Sequence, residues 1–343
     1  MSGRAGALDH VPAGWDALLA ADPSASPSHR PEVWECLAAT IPGCEWRLLV
    51  HRSEAGVLVA GAPLVLARRG PFRWLHALSW LLPAPPLAMP GTHAAADAVL
   101  ALAFAAFARE QRAVGGEWSL YRPEGPAPAD AVLASVPGET RWFEAALLRL
   151  EHGLEPVLRR MSRKQRQALE HARGRGYAFT DDPAGLDEAH ALHLAQARAW
   201  RGYQPLPLDV SRRLLHARGE APVARLFTLR SARGLVSATL ALDSHHETFV
   251  WWSGTSPEGR RAHAFPLLLW CICEWAAARG RRRLNLGAST GLPHVAAFKD
   301  ALGAEAFRYP VRRLDASASG WTGRAIAALQ RAVRRGRPLG ETR

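Results

Sequence analysis

The residues able to do chemistry gather between Glu247 and Tyr309. Of 43 basic residues only two, Lys164 and Lys299, are lysines, so a lysine runs against the chain's own usage. An ammonium is a compact, rotatable point charge that arginine's planar fork replaces poorly, which is one reason to keep Lys299. The plain alternative is a solvated helix residue. His263 stands at the head of a long apolar segment and is the best-placed proton acceptor for an incoming nucleophile. Against that, a helix N-terminus lowers a histidine's pKa, and an exposed cap is the commoner use. Arg260 and Arg261 precede the same helix, where a positive helix end and two guanidinium groups can hold an anion.

Other signals carry less. Gly287-Ala288-Ser289-Thr290-Gly291 has the G-x-S-x-G spacing of a hydrolase elbow. That chemistry needs an acid and then a histidine after the serine, and the only later histidine, His294, precedes Asp300 and Asp315. Ser289 therefore reads as a turn residue lining a cleft. His190 and His193 share a helix face without a third ligand at metal spacing, and His245-His246 reads as turn, so no metal is expected. Cys271 and Cys273, two apart on a helix, cannot face one another, and with Cys36 and Cys44 they read as reduced core residues.

These residues must be positioned by a strand over 247–253, a helix over 263–279, a strand at 283–286, a glycine-bearing turn and a helix over 293–302. The long helix is apolar nearly all round, with Glu274 its only acid, so it is buried. Before them, strands over 223–230 and 235–243 flank a Ser-Ala-Arg-Gly turn. The first half repeats the order: strands over 46–52, 57–69 and 74–80, a helix over 93–113, and a strand over 117–121. A short helix near 128–135 and a strand over 141–150 follow. Residues 1–30 read as loop with one short helix, and 31–40 as a helix with proline in its first turn. Two lobes of one fold explain the repeat. The expected domains are 1–150, a basic helical insert over 151–222, 223–315, and a basic tail over 316–343. In the insert one helix, 153–175, places Leu158, Met161 and Leu169 on one face and Arg163, Lys164 and Arg166 on others. A phosphate or RNA contact and a solvated face both fit this pattern.

At 343 residues with 48% hydrophobic content, the chain is long and apolar enough for two cores. A formal charge of +12 implies a polyanionic partner: nucleotide phosphates, RNA or an anionic membrane face. The apolar runs 74–90 and 94–108 are broken by prolines or Asp97 and fall short of a membrane span. Without a signal-like N-terminus the expected location is cytoplasmic, with the tail suited to weak docking on an anionic membrane surface.

Met161-Ser-Arg-Lys-Gln-Arg, the run from His193 to Trp200 with Arg201-Gly202, Trp252-Ser253-Gly254, Asn285-Leu286-Gly287 and above all Phe298-Lys299-x-x-x-Gly303 resemble the FemAB-type acyltransferases. These form a branch of the GNAT superfamily described as BioF2-like or CelD-like. The resemblance implies an α+β or α/β fold of two tandem GNAT-like lobes, mixed sheets flanked by helices, with the helical insert between them and the site in the second lobe. It implies acyl transfer to an amine or hydroxyl of a cell-envelope, polysaccharide or natural-product precursor. The donor would be acyl-coenzyme A or aminoacyl-tRNA, used as co-substrate, with no tightly bound cofactor and no DNA partner. By position Lys299 would contact a donor phosphate or stabilise charge at the reacting carbonyl, a role typically worth about 2.7–4 kcal/mol. Trp252, Ser253, Asn285, Ser289, Phe298 and Arg201 would line the substrate site, and Arg260, Arg261, Arg163 and Lys164 would bind phosphate.

One departure matters: the Arg/Gln-x-x-Gly-x-Gly/Ala pyrophosphate signature of GNAT enzymes is missing from 256–266, which lowers the odds of ordinary acetyl-coenzyme A without excluding a larger thioester. Three function classes remain: an acyl-coenzyme A-dependent acyltransferase, a tRNA-dependent aminoacyl ligase, and a non-catalytic binding scaffold.

Overall fold

The computed structural model describes residues 3–77, 84–124, 130–198, 205–217, 219, 221–289 and 292–314. The chain opens with strand β1 (Gly3–Leu8), helices α1 (Trp15–Ala21) and α2 (Pro31–Thr40), and strands β2 (Cys44–Ser53), β3 (Leu58–Arg69), β4 (Phe72–His76) and β5 (Leu87–Ala88). Helix α3 (His93–Glu110), β6 (Gly115–Ser119), α4 (Asp130–Ser135) and β7 (Gly138–Arg149) complete the first half. Then come α5 (Glu155–Arg160), α6 (Arg163–Arg173), β8 (Ala178–Asp181), α7 (Leu186–Ala197) and α8 (Leu208–Leu215). The last part holds β9 (Ala224–Ser231), β10 (Gly234–Asp243), β11 (Glu247–Thr255), α9 (Pro257–Arg261), α10 (Ala264–Ala278), β12 (Arg283–Asn285), α11 (Pro293–Ala301) and β13 (Glu305–Leu314).

Two compact units result, both discontinuous in sequence: Met1–Ser24 with Ile41–Phe143 and Tyr309–Arg343, and Ala25–Thr40 with Glu144–Arg308. In the first, the strand order is β1-β2-β3-β4-β6-β13, with β5 on β3. In the second it is β8-β9-β10-β11-β12-β7. Each order has three antiparallel pairs, one parallel pair (β4 with β6, β11 with β12) and a closing antiparallel pair. A parallel pair needs a crossover connection, and α3 and α10 lie in those crossovers.

Residues 25–40, expected in the first lobe, belong to the second unit, and the structure departs from the expected organisation in three further ways. First, the strand expected to close the first lobe, β7, sends Leu147–Arg149 to pair with Arg283–Asn285 in the second unit. Conversely, Val311–Leu314 of β13 pair with Gly116–Ser119 in the first. At 12 and 10 residues these strands are about twice the usual length, and each passes from one unit into the other. Second, the N-terminal stretch is not all loop, since β1 pairs with β2 from Gly3↔Ser53 to Leu8↔Leu48.

Third, the expected helical insert is part of the second unit. Strand β8 adds an edge next to β9, α6 packs on α10, and α7 lies on β10 and β11. The helix expected over 153–175 is two helices. Met161 is buried with extended backbone, and Ser162 starts α6 as its N-cap, its hydroxyl accepting the Gln165 N–H at 3.2 Å.

The second unit's core gathers Leu268, Ile272 and Ala276 of α10 against Leu148, Phe227, Leu229 and Leu284. Each large apolar side chain among them contributes about 1.5–3 kcal/mol by burial. In the first unit Leu100 and Phe104 of α3 pack with Leu64, Leu75 and Trp118.

Candidate active site

The site is built where two parallel strands part. Strand β11 pairs with β12 only from Glu247↔Arg283 to Phe249↔Asn285, yet runs on beside β10 to Thr255. Where they part, β11 carries an extra residue: Leu240 faces Trp252 and Ala241 faces Val250, which leaves Trp251 bulged. A bulge bends its strand and sharpens the local twist. Beyond Thr255 the chain forms α9, whose Ser256 N-cap hydroxyl accepts the Gly259 N–H at 3.0 Å, and then reaches α10 through His263.

The other side of the opening is the turn after β12. Glu247 and Arg283 form an ion pair, both essentially without solvent access. The other Glu247 oxygen accepts from the Asn285 side-chain Nδ2 at 3.0 Å, and the Asn285 side-chain Oδ1 accepts the Gly287 N–H at 2.7 Å. Gly287 has φ 72, which allows the chain to leave the sheet there. The Lys299 ammonium donates to the carbonyl oxygens of Gly287 and Ala288 at 2.9 and 2.8 Å. Burial pushes the Lys299 pKa down to about 8, partly offset by the Glu144 carboxylate.

The neighbours of Lys299 in the Phe298-Lys299-x-x-x-Gly303 segment hold α11 in place. Phe298 stacks on Phe265 of α10 at 5.8 Å. Gly303 has φ 86, and a Cβ there would lie 2.8 Å from the Val157 carbonyl oxygen in α5. The Ser162 N–H donates to the Ala301 carbonyl at 2.9 Å. The segment thus ties the Gly287 turn to the α5–α6 junction.

Other expected site residues fall into distinct settings. Trp252 is 8% exposed, and its indole N–H donates to the Ser211 hydroxyl at 3.1 Å. His193 lies against it with ring centroids 5.0 Å apart, and His190 at 5.9 Å. The Ser253 carbonyl oxygen accepts from His193 Nδ1 at 2.9 Å, which places the proton on that nitrogen. Burial lowers the pKa of both His190 and His193. Gly254 is where α7 comes closest, since a Cβ there would meet the His193 backbone nitrogen at 2.5 Å. Asn285 is buried inside the Glu247 network, and the Ser289 carbonyl accepts the Leu292 N–H at 2.9 Å at the head of α11.

His263 is exposed in a left-handed conformation, φ 55, with the His171 ring 6.2 Å away. Arg260 and Arg261 are exposed on α9, Arg260 donating to the Thr255 carbonyl at 2.7 Å. Gly259 is buried, and a Cβ there would sit 2.2 Å from the Val236 carbonyl, so this glycine serves packing of α9 on β10. Arg163 and Lys164 are exposed on the first turn of α6. Arg166 turns back to the carbonyls of Leu158, Arg159 and Met161 and caps α5. Arg201 and the tail 316–343 lie outside the described residues.

Sequence reasoning missed Glu144 and the pairing of Glu247 with Arg283. Nothing local marks either one, because their neighbours come from strands far apart in the chain. All four cysteines are free; Cys36, Cys44 and Cys273 are buried as expected of core residues, whereas Cys271 is half-buried, and burial pushes Cys271 up to about 11 and Cys273 further up. Among the described residues no group of His, Cys, Asp or Glu could hold a metal ion.

A parallel pair that parts at a bulge beside a long helix, within a mixed sheet flanked by helices, is the arrangement of a GNAT-type fold. Residues 156–309 match the family model described as an acetyltransferase (GNAT) domain, and the chain carries that domain over those residues. The fold is FemAB-like. The crystal structure of FemX aligns with a TM-score of 0.70 at 11% identity, covering 89% of this chain and 96% of that one. The C-terminal domain of a putative lysylphosphatidylglycerol synthetase from Agrobacterium fabrum aligns with a TM-score of 0.55 at 14% identity, covering 93% and 94%. At these identities the likeness is one of fold. A search of curated protein sequences gave no match.

Proposed function

We propose that this chain transfers an acyl group from acyl-coenzyme A to an amine or hydroxyl of a cell-envelope, polysaccharide or natural-product precursor. The observation that supports the reading is the parting of β11 from β12 after Phe249 and Asn285. It leaves one edge of β11, from Val250 to Thr255, facing an opening that an extended, amide-bearing donor arm can enter. Backbone groups along such an edge can pair with a ligand as they would with a strand. At the end of this edge the N-terminus of α10, with Arg260 and Arg261, favours the phosphates of the donor. Lys299 holds the turn on the other side and supplies positive charge near the reacting carbonyl, and His263 stands at the mouth of α10 as a proton acceptor. With Gly259 committed to packing, α9 replaces a glycine cradle, which suits a larger thioester better than acetyl-coenzyme A.

Aminoacyl-tRNA is the second donor to weigh. Exposed Arg163 and Lys164 favour it, as does likeness to FemX and to a lysylphosphatidylglycerol synthetase domain. Among the described residues no helix is long and apolar enough to cross a membrane, so an envelope precursor would be met at the membrane surface. The test is to incubate the protein with acyl-coenzyme A donors of rising chain length, following thiol release, and separately with charged tRNA, following deacylation. Acceptor-dependent thiol release is the expected result. Deacylation of tRNA alone would move the assignment to the second donor, and neither activity would leave a binding scaffold.

A further inference from the structure

The open edge of β11 has a polarity set by the direction of its peptides. The Ser256 N–H donates to the Val236 carbonyl of β10 at 2.9 Å. A trans peptide points its N–H and C=O opposite ways, so the Thr255 carbonyl points away from β10, to the open side. Two residues back, Ala238↔Gly254 repeats this hydrogen-bonded geometry, and the Ser253 carbonyl points to the open side as well. The peptides between turn the other way. The Gly254 carbonyl faces β10, where the Ser237 hydroxyl also donates to it, and the Ser253 and Thr255 N–H groups face the opening.

Both outward carbonyls already have donors. His193 Nδ1 donates to that of Ser253 at 2.9 Å, and Arg260 to that of Thr255 at 2.7 Å. The first bond depends on Gly254, where a Cβ would meet the His193 backbone nitrogen at 2.5 Å, so glycine is what lets α7 come this close to the edge. The outward N–H groups are the reverse case. Among the described residues nothing accepts from either, although Thr255 is only 6% exposed. A carbonyl oxygen keeps a second lone pair, so a ligand N–H arriving here adds a bond to an oxygen that is already satisfied. A ligand oxygen arriving at Ser253 or Thr255 satisfies a group that has no partner, and that is the larger gain.

We infer that His193 is a specificity-determining residue of this edge. By holding the Ser253 carbonyl it leaves recognition to the Ser253 and Thr255 N–H groups, so the edge takes an extended chain through its acceptor oxygens and not through its amide N–H groups. Two residues of strand separate the two N–H groups by about 7 Å, which is the spacing the ligand's oxygens must match on one side. The inference rests on the donor reading above for the identity of the ligand. Every element it uses lies in the second unit.

The probe is coenzyme A, whose arm carries two amides, beside an analogue in which both amides are esters. The analogue keeps the carbonyl oxygens and lacks the N–H groups. Calorimetry on the full chain, below its unfolding temperature, gives the affinity for each. An ester carbonyl is the weaker acceptor, so the comparison is made between proteins, as the ratio of amide to ester affinity. His193→Phe keeps a ring against Trp252 but frees the Ser253 carbonyl, which the arm's N–H can then take. Its ratio should rise about 2- to 10-fold over wild type. His193→Asn, whose amide N–H stands where the Nδ1–H stood, should keep the wild-type ratio. His193→Leu serves the same comparison if the phenylalanine variant does not fold. A ratio that is unchanged or lower without the histidine N–H, or that rises equally in His193→Asn, would overturn the inference while leaving coenzyme A as donor. Coenzyme A that binds none of these proteins would instead refute the donor reading, and this inference with it.

Discussion

Lys299 donates from Nζ to the carbonyl oxygen of Gly287 at 2.9 Å, joining α11 to the point where the chain leaves the sheet. Because the ammonium also binds the Ala288 carbonyl, it stabilises the turn as well as charging it. Sequence alone suggests that Lys299→Met would lose activity with its melting temperature nearly unchanged. The bonds to two carbonyls change that expectation. Leaving buried acceptors without a donor costs about 1–3 kcal/mol, so the melting temperature should fall by several degrees. Turnover, measured well below the transition, should fall on the order of 10² to 10³. Lys299→Arg should lose nearly as much, since a planar fork cannot meet both carbonyls from the same position. A Lys299→Met protein that melts earlier but turns over normally would leave this lysine a purely structural role.

The titration of Lys299 sets a pH dependence of stability. Burial holds its folded pKa near 8, below the ordinary 10.5. Between these values the unfolded chain binds a proton that the folded chain does not, so this group's contribution makes stability rise with pH across that window. The slope from one such proton is at most about 1.4 kcal/mol per pH unit. Denaturant titrations at pH 7.5 to 10.5 should show this rise in the wild type relative to Lys299→Met. Parallel curves for the two proteins would place the Lys299 pKa at its ordinary value.

Gly303→Ala tests the contact between α11 and the α5–α6 junction. A left-handed residue with a Cβ costs about 1–2 kcal/mol, and here the Cβ also meets the Val157 carbonyl at 2.8 Å. The variant should melt earlier than Gly280→Ala, which has φ 70 but nothing within 4 Å of its Cβ. Equal losses for the two would mean that the close approach carries no energy.

The exposed pair on α6 separates a polyanion contact from a solvated face. Arg163→Glu with Lys164→Glu should weaken donor binding and reduce its salt dependence, while thermal stability stays close to wild type. Arg166→Glu should behave differently and destabilise the protein, because Arg166 caps α5. Donor affinity at low salt that ignores the double reversal would assign Arg163 and Lys164 to solvent.

Breaking the Glu247–Arg283 pair should be costly. Both side chains are buried, and removing one partner leaves an uncompensated charge, a loss of about 3–5 kcal/mol. Arg283→Met measured by denaturant unfolding should show it, and a loss below about 1 kcal/mol would mean that water reaches the pair.

The sequence by itself determined most local elements of both halves, though not β1 or β8, and the burial of α10, because hydrophobic periodicity and glycine or proline stops act within a few residues. It also marked Lys299, since a lysine among arginines is visible without a fold, and the repeated order of strand, helix and strand. Only the tertiary structure decided which strand closes which unit. The alternation in β7 and β13 makes each a strand, but Leu147 finds Asn285 and Val311 finds Ser119 through pairings far apart in the chain. The same holds for the break at Met161, fixed by the close approach of Gly303, and for the burial of Trp252 beneath α7. The influence of Glu144 on Lys299 likewise depends on β7 pairing beside β12, because a strand's neighbours are set by the tertiary structure and not by its own residues.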